Sequence, residues 1–225
     1  MEAFPAPSPL PSTEPRAPQR GVDSTDMPTD LLHSLIIAGA VRSLAEGAAE
    51  GDMFIRVLRD AVAATEGRGW ALIGGLAVGF RSEPRGTQDV DLMIVGDLEE
   101  VASALIASER FKRTRPHAVE HRATGIEVEM LTHDFVGQPE SLLAAAYQDR
   151  ELVRVADFEL PVVRLRYLIA LKLKRALGRH RKAMLDRADI MGLIQHHGPQ
   201  DLSDLPLTAE QTALYEQLKA DAESA

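Results

Sequence analysis

LIGGLAVGFRSEPRGTQDVDLMI, residues 72–94, carries two patterns of opposite character. Trp70 to Ile73 is a short apolar run stopped by Gly74 and Gly75, after which Leu76 to Phe80 reads as one or two helical turns. That is a buried strand, a tight turn and a helix start. Farther on, Asp89 to Val95 reads DVDLMIV, a second strand. Side chains two apart on a strand share a face, so Asp89 and Asp91 project together while Val90 and Leu92 face the other way. Two like charges at the end of a buried strand repel unless a cation bridges them, and oxygen ligands at that spacing suit Mg²⁺ or Mn²⁺. The glycine pair suits a phosphate, because no Cβ blocks its approach and the N–H groups of a helix start point at it.

Beyond this segment, Ile126 to Leu131 (IEVEML) is a third strand, entered through a turn at Thr124 and Gly125. Glu127 and Glu129 repeat the acidic alternation, with Ile126, Val128 and Met130 opposite. Acid pairs on neighbouring strands can hold two metals, which steadies both the attacking and leaving oxygens in phosphoryl transfer. Leu98 to Ser108 reads as a helix, and Leu152 to Val163 as a hairpin broken at Ala156 and Asp157. After Pro161 the pattern is helical, with breaks near Gly178 and from His197 to Pro206. Ahead of the glycine pair we expect helices over roughly 29–48 and 52–66, the second striped by Phe54, Val57, Leu58, Ala61 and Val62. Strands with helices first and helices alone afterwards imply an α+β fold with a C-terminal helical bundle.

Asp-x-Asp alone is common at strand ends, and Gly-Gly is often a turn and nothing more. Their joint occurrence resembles the signature of the DNA polymerase beta-like nucleotidyltransferase superfamily, in particular the bacterial branch that includes abortive-infection toxins. There the order is strand, Gly-Gly, short helix, Arg-x-Thr, then Asp-x-Asp. Gly74, Gly75, Ala77, Gly79, Arg85, Thr87, Asp89 and Asp91 fall in place, and the resemblance runs on more loosely through EVEML and LIALKLKRALGRHRKAMLDRADI. It implies a mixed sheet flanked by helices, with residues 28–163 as the catalytic domain and 164–225 as a helical region. It also implies a Mg²⁺-dependent enzyme that moves a nucleoside monophosphate from a nucleoside triphosphate to an acceptor hydroxyl and releases pyrophosphate. Asp89, Asp91, Glu129 and Lys172 would be catalytic, the three acids holding the metal. Gly74, Gly75, Arg85, Thr87 and Lys172 would meet the nucleotide. Relatives usually carry Asp where this chain has Glu129, so Glu127, on the same face, is the alternative third acid. The resemblance extends to partners: tRNA or another RNA as acceptor, and a cognate antitoxin protein. The alternative it allows is a degenerate module of a toxin–antitoxin pair that binds nucleotide without transferring it.

Lys172 stands out independently of any motif. At about 100° per residue, Leu165, Leu168, Ile169 and Ala176 form an apolar stripe that contains Lys172, while Lys174 lies opposite. A buried ammonium needs an anion, either the triphosphate or the acids, unless it snorkels to water. Arg179, Lys182, Asp186 and Asp189 match the ending of related toxins or else bridge adjacent helices. Between Arg164 and Arg187 nine bases meet one acid, Asp186, which is either an RNA contact or a solvated helix face. HAVEH, His117 to His121, fits an inverted zinc-protease pattern, but the turn at Thr124 and Gly125 leaves too little room for the helix that chemistry needs. We read it as a strand leading into IEVEML, and Trp70 as core.

The chain has 225 residues, a net charge of −9, 45% hydrophobic and 26% charged residues and no cysteine. This composition fits one catalytic unit, excludes disulfides and thiolate metal sites, and offers no apolar run of membrane-spanning length. The first 27 residues are rich in Pro, Ser and Ala, lack a secretory pattern, and are expected to form a disordered tail of a cytoplasmic protein.

Overall fold

The computed structural model describes residues 49–82 and 87–224. The expected tail, the helix over 29–48 and Arg85 lie outside the described residues.

Helix α1 (Ala49–Ala64) leads into β1 (Trp70–Ile73), whose four residues are all buried. A strand with no polar face belongs in the middle of a sheet. There β1 sits between β2 (Asp89–Ile94), antiparallel to it, and β7 (Phe158–Val162), parallel to it. β5 (Glu127–Leu131) runs parallel to β2 on its other side, followed by the antiparallel β4 (Ala118–His121) and β3 (Phe111–Arg115). With β6 (Glu151–Val155) pairing β7, the described residues form one mixed sheet in the order β3-β4-β5-β2-β1-β7-β6.

Helices cover both faces. α1 and α3 (Leu98–Ala107) pack on the side of Val90, Val119 and Val128, all fully buried. Asp97 starts α3 by accepting from the Glu99 N–H at 2.8 Å, and Glu99 and Glu100 complement the helix dipole. The other face carries α2 (Gly74–Gly79), α4 (His133–Val136) and α6 (Leu165–Ala176). α7 (Arg181–His197) and α8 (Ala209–Ser224) stack on α6 as the expected C-terminal bundle. α5 (Glu140–Gln148) joins the core through Leu142, Leu143 and Ala146. A buried polar chain ties these parts together: Gln211 donates to Gln138, which donates to the Ala170 carbonyl at 2.9 Å. Trp70 is core, as expected, and its indole N–H reaches Thr65 Oγ1 at 2.7 Å. Among the described residues no helix is long and apolar enough to cross a membrane.

Candidate active site

The parallel pairing of β2 and β5 is in register: Asp89 lies opposite Glu127, Val90 opposite Val128, and Asp91 opposite Glu129. Alternation therefore sends four carboxylates to one face and two valines to the other. Carboxylate oxygens of Asp89, Asp91 and Glu129 all lie within 4.8 Å of one another, close enough for one divalent cation to bridge them. Burial is the largest cause, followed by the charges of Asp89 and Glu129, that pushes the Asp91 carboxyl from 3.8 up to about 6, against the pull of Lys172 and Arg175. Such a carboxylate is held ionised by whatever positive charge arrives. Thr87 Oγ1 donates to Asp89 Oδ1 at 3.0 Å and fixes that side chain at the mouth of the strand.

Gly74 stands where β1 ends and α2 begins, opposite this cluster. Its φ of +71° already disfavours a side chain, and a Cβ there would sit 2.7 Å from the Asp91 Cβ and closer still to the carboxylate oxygen. The glycine is what allows the start of α2 to lie against Asp91. Gly75 is buried in the first turn of that helix.

Glu127 and Glu129 differ in their surroundings. Arg115 bonds both, at 2.7 Å to Glu129 Oε1 and in direct contact with Glu127, while Thr114 Oγ1 adds a bond of 3.1 Å to Glu127 Oε2. Arg115 reaches this face because the register of β3 on β4 shifts between Arg113 and Arg115. Arg113, across from Val119, turns to the opposite face and pairs with Glu99 of α3, whereas Arg115, across from Ala118, lands beside the acids. The sequence reading missed this residue. FKRTR shows no alternation, so neither the strand nor its bulge has a signature.

Lys172 is buried as its place in the apolar stripe requires, 5% exposed. Its ammonium donates to Asp186 Oδ1 at 2.9 Å and Asp189 Oδ2 at 2.7 Å, both on α7. Arg175, half exposed one turn along, forks onto Asp186 and stands within electrostatic reach of Asp91. Burial would raise the Asp186 carboxyl, but the hydrogen bonds and charges of Arg175 and Lys172 outweigh it and hold it below the ordinary value. Asp186 and Asp189 thus bridge adjacent helices, while the bases Lys174, Arg179, Arg181 and Lys182 are exposed. Ala118–His121 of the HAVEH segment is strand β4, with His117 in the turn before it. His117 stacks near Phe135, and His121 lies buried on the face away from the acids, so the two rings do not converge on a metal.

No family model and no curated protein matches the sequence. Among solved structures, an antigenic nucleotidyltransferase-like protein from Paracoccidioides brasiliensis matches 87% of this chain and 92% of its own, with a TM-score of 0.52 and 18% identity. The fold is nucleotidyltransferase-like. Looser matches are a candidate nucleotidyltransferase from Thermotoga maritima (24% identity, 61% of this chain, 92% of that one, TM-score 0.41) and one from H. pylori (10%, 79%, 98% and 0.38). In this nucleotidyltransferase-like sheet the acids occupy β2 and its parallel neighbour β5, beside a helix that begins at a glycine pair.

Proposed function

We propose that the chain is a metal-dependent nucleotidyltransferase of the toxin type, acting in the cytoplasm. The observation that carries this reading is the convergence of Asp89, Asp91 and Glu129, from two parallel strands, around a space that favours a cation. Mg²⁺ held there would withdraw charge from the phosphates and lower the pKa of an acceptor hydroxyl. Thr87 keeps Asp89 oriented, and Gly74 and Gly75 leave the start of α2 open to the triphosphate. Arg85 and Thr87 complete the nucleotide contacts. Glu129 is the third acid in preference to Glu127, because its carboxylate lies with those of Asp89 and Asp91, whereas Glu127 is bonded by Thr114 as well as by Arg115. The acceptor oxygen attacks the α-phosphorus in line and pyrophosphate leaves. Lys172, bound to Asp186 and Asp189, acts on the site by charge and by holding Asp186, which in turn fixes Arg175, an exposed cation whose charge reaches Asp91.

We assign the acceptor to RNA, tRNA being one such substrate, because bases outnumber acids nine to one between Arg164 and Arg187 and Lys174, Arg179, Arg181 and Lys182 among them are exposed. A cognate antitoxin would cover the same region. Arg115 favours a second reading, in which its guanidinium satisfies the acids permanently and the chain is a degenerate module that binds nucleotide without transferring it.

Each labelled nucleoside triphosphate, incubated with the protein, Mg²⁺ and cell lysate, separates the two. Label entering RNA, lost on Asp89→Ala or Asp91→Ala, supports transfer. Label entering nothing while nucleotide still binds supports the degenerate module. Neutralising Lys174 together with Arg181 should weaken RNA binding and flatten its salt dependence without moving nucleotide affinity. Unchanged salt slopes would refute an RNA acceptor.

A further inference from the structure

On the face of the sheet away from the acids, α1, the loop between α3 and β3, and the end of β4 frame an open cavity of about 600 Å³. Arg56, Arg59, Arg110 and Arg122 line it, in a chain whose net charge is −9. Two of these guanidiniums are anchored. Arg110 pairs with Asp60, a carboxylate 9% exposed, whose other oxygen lies 3.0 Å from His121 Nε2. Thr124 Oγ1 meets the second ring nitrogen at 2.9 Å, so His121 is fully engaged in fixing Asp60, which in turn aims Arg110. Arg59 is held 2.8 Å from Asp157, at the β6–β7 turn, and 5.7 Å from the Phe158 ring centroid.

Arg56 and Arg122 have no carboxylate partner among the described residues. The Arg122 N–H is tied to the Arg110 carbonyl at 2.8 Å, which keeps those two residues side by side. Glu109 also lines the cavity and offsets one of the two uncompensated charges. Among the described residues an excess of positive charge therefore remains at a concave, open site built from separate elements. Guanidiniums gathered this way repel one another, and their forked donors match phosphate oxygens.

We propose that this cavity is a phosphate-binding site, separate from the acidic cluster, that takes a phosphate monoester or pyrophosphate group. Free polyphosphate, a nucleotide and the 5′ end of an RNA share that chemistry. The site stands whether or not the acids catalyse transfer.

The test is calorimetric titration of the full chain with inorganic pyrophosphate in a chelator, where no divalent cation is present to draw phosphate to the acids. Saturable binding is expected, weakened about 100-fold or more in the Arg56→Ala, Arg122→Ala double variant, since each of the two lost charge-assisted hydrogen bonds contributes about 1.5 kcal/mol. Glu109→Gln should tighten it and Asp89→Asn should leave it unchanged. All four altered residues are exposed or at the edge of the core, and an unchanged melting temperature verifies each fold. Absence of saturable binding, equal binding by the double variant, or loss on Asp89→Asn overturns the proposal. Parallel titrations with ATP and with an RNA oligonucleotide, with and without its 5′-phosphate, identify the source. Tighter ATP binding assigns the site to free nucleotides, a 5′-phosphate-dependent gain assigns it to RNA ends, and neither leaves inorganic polyphosphate.

Discussion

Asp91→Asn should make the metal-free protein more stable. The folded chain holds the Asp91 carboxyl at about 6 rather than 3.8, so ionising it in place costs about 3 kcal/mol more than ionising it in the unfolded chain. Water reaching the partly exposed carboxyl trims this to about 2 kcal/mol, which for a domain of this size is a rise in melting temperature of roughly 4–8 °C. Because the folded pKa is raised, this carboxyl favours the folded state fully below 3.8, and that contribution is lost as pH climbs through about 6. Asparagine does not titrate. Its advantage should therefore be small at pH 4, grow between pH 4 and pH 6, and stay constant above. Thermal unfolding in a chelator at pH 4, 5, 6 and 8 measures this. Mg²⁺ added at pH 8 should raise the melting temperature of the wild type and leave the variant in place, reversing their order. An advantage independent of pH, or a variant less stable than wild type at pH 8, would refute the claim that burial and the neighbouring acids oppose ionisation of Asp91.

Glu129→Gln should lower turnover by about 100-fold or more while Glu127→Gln leaves most of it, and the opposite ranking in kcat would place the wrong acid at the metal. Gly74→Ala should cost at least about 2 kcal/mol in urea unfolding, because the left-handed backbone and the contact with Asp91 both oppose a Cβ. A variant as stable as wild type would show that α2 does not lie against Asp91. Lys172→Met should cost about 3 kcal/mol, since it removes the buried ammonium that bonds both Asp186 and Asp189 and leaves Asp186 to Arg175, with the loss shrinking in acid as Asp186 protonates. A cost below about 1 kcal/mol would mean that water reaches Asp186 and Asp189.

The strands that carry the acids were legible because DVDLMI and EVEML combine strict alternation with charge on one face, and the glycine pair marked the turn between β1 and α2. The hairpin ending at Val163 and the helix breaks near Gly178 and after His197 were legible for the same reason: turn residues interrupt clear periodicity. Strand order was not. That β5 lies parallel to β2 while β1 lies antiparallel depends on how the two acid strands pack around buried Val90 and Val128, which no local pattern records. Arg115 was hidden twice, by a strand whose last four side chains are exposed and by a register shift that reverses its direction. For Lys172 the apolar stripe showed that an anion must be near. Its partners lie 14 and 17 residues along, so only the packing of α6 against α7 selects them.

The in-register pairing of β2 with β5 also governs how the protein can misfold. Slipping β2 by a single residue would turn Val90 toward the acidic face and drive Asp89 and Asp91 into the layer beneath α1 and α3; slipping β5 would do the same to Val128 and the glutamates. Burying such a carboxylate without a partner costs several kcal/mol, a large share of a domain's net stability. The residues that make the site hard to hold in the native state thereby penalise the neighbouring register far more heavily. The acidic cluster works as a check on its own assembly: a chain that folds at all has its acids on the working face, spaced by the hydrogen-bonding distance between adjacent strands and insensitive to changes in the loops.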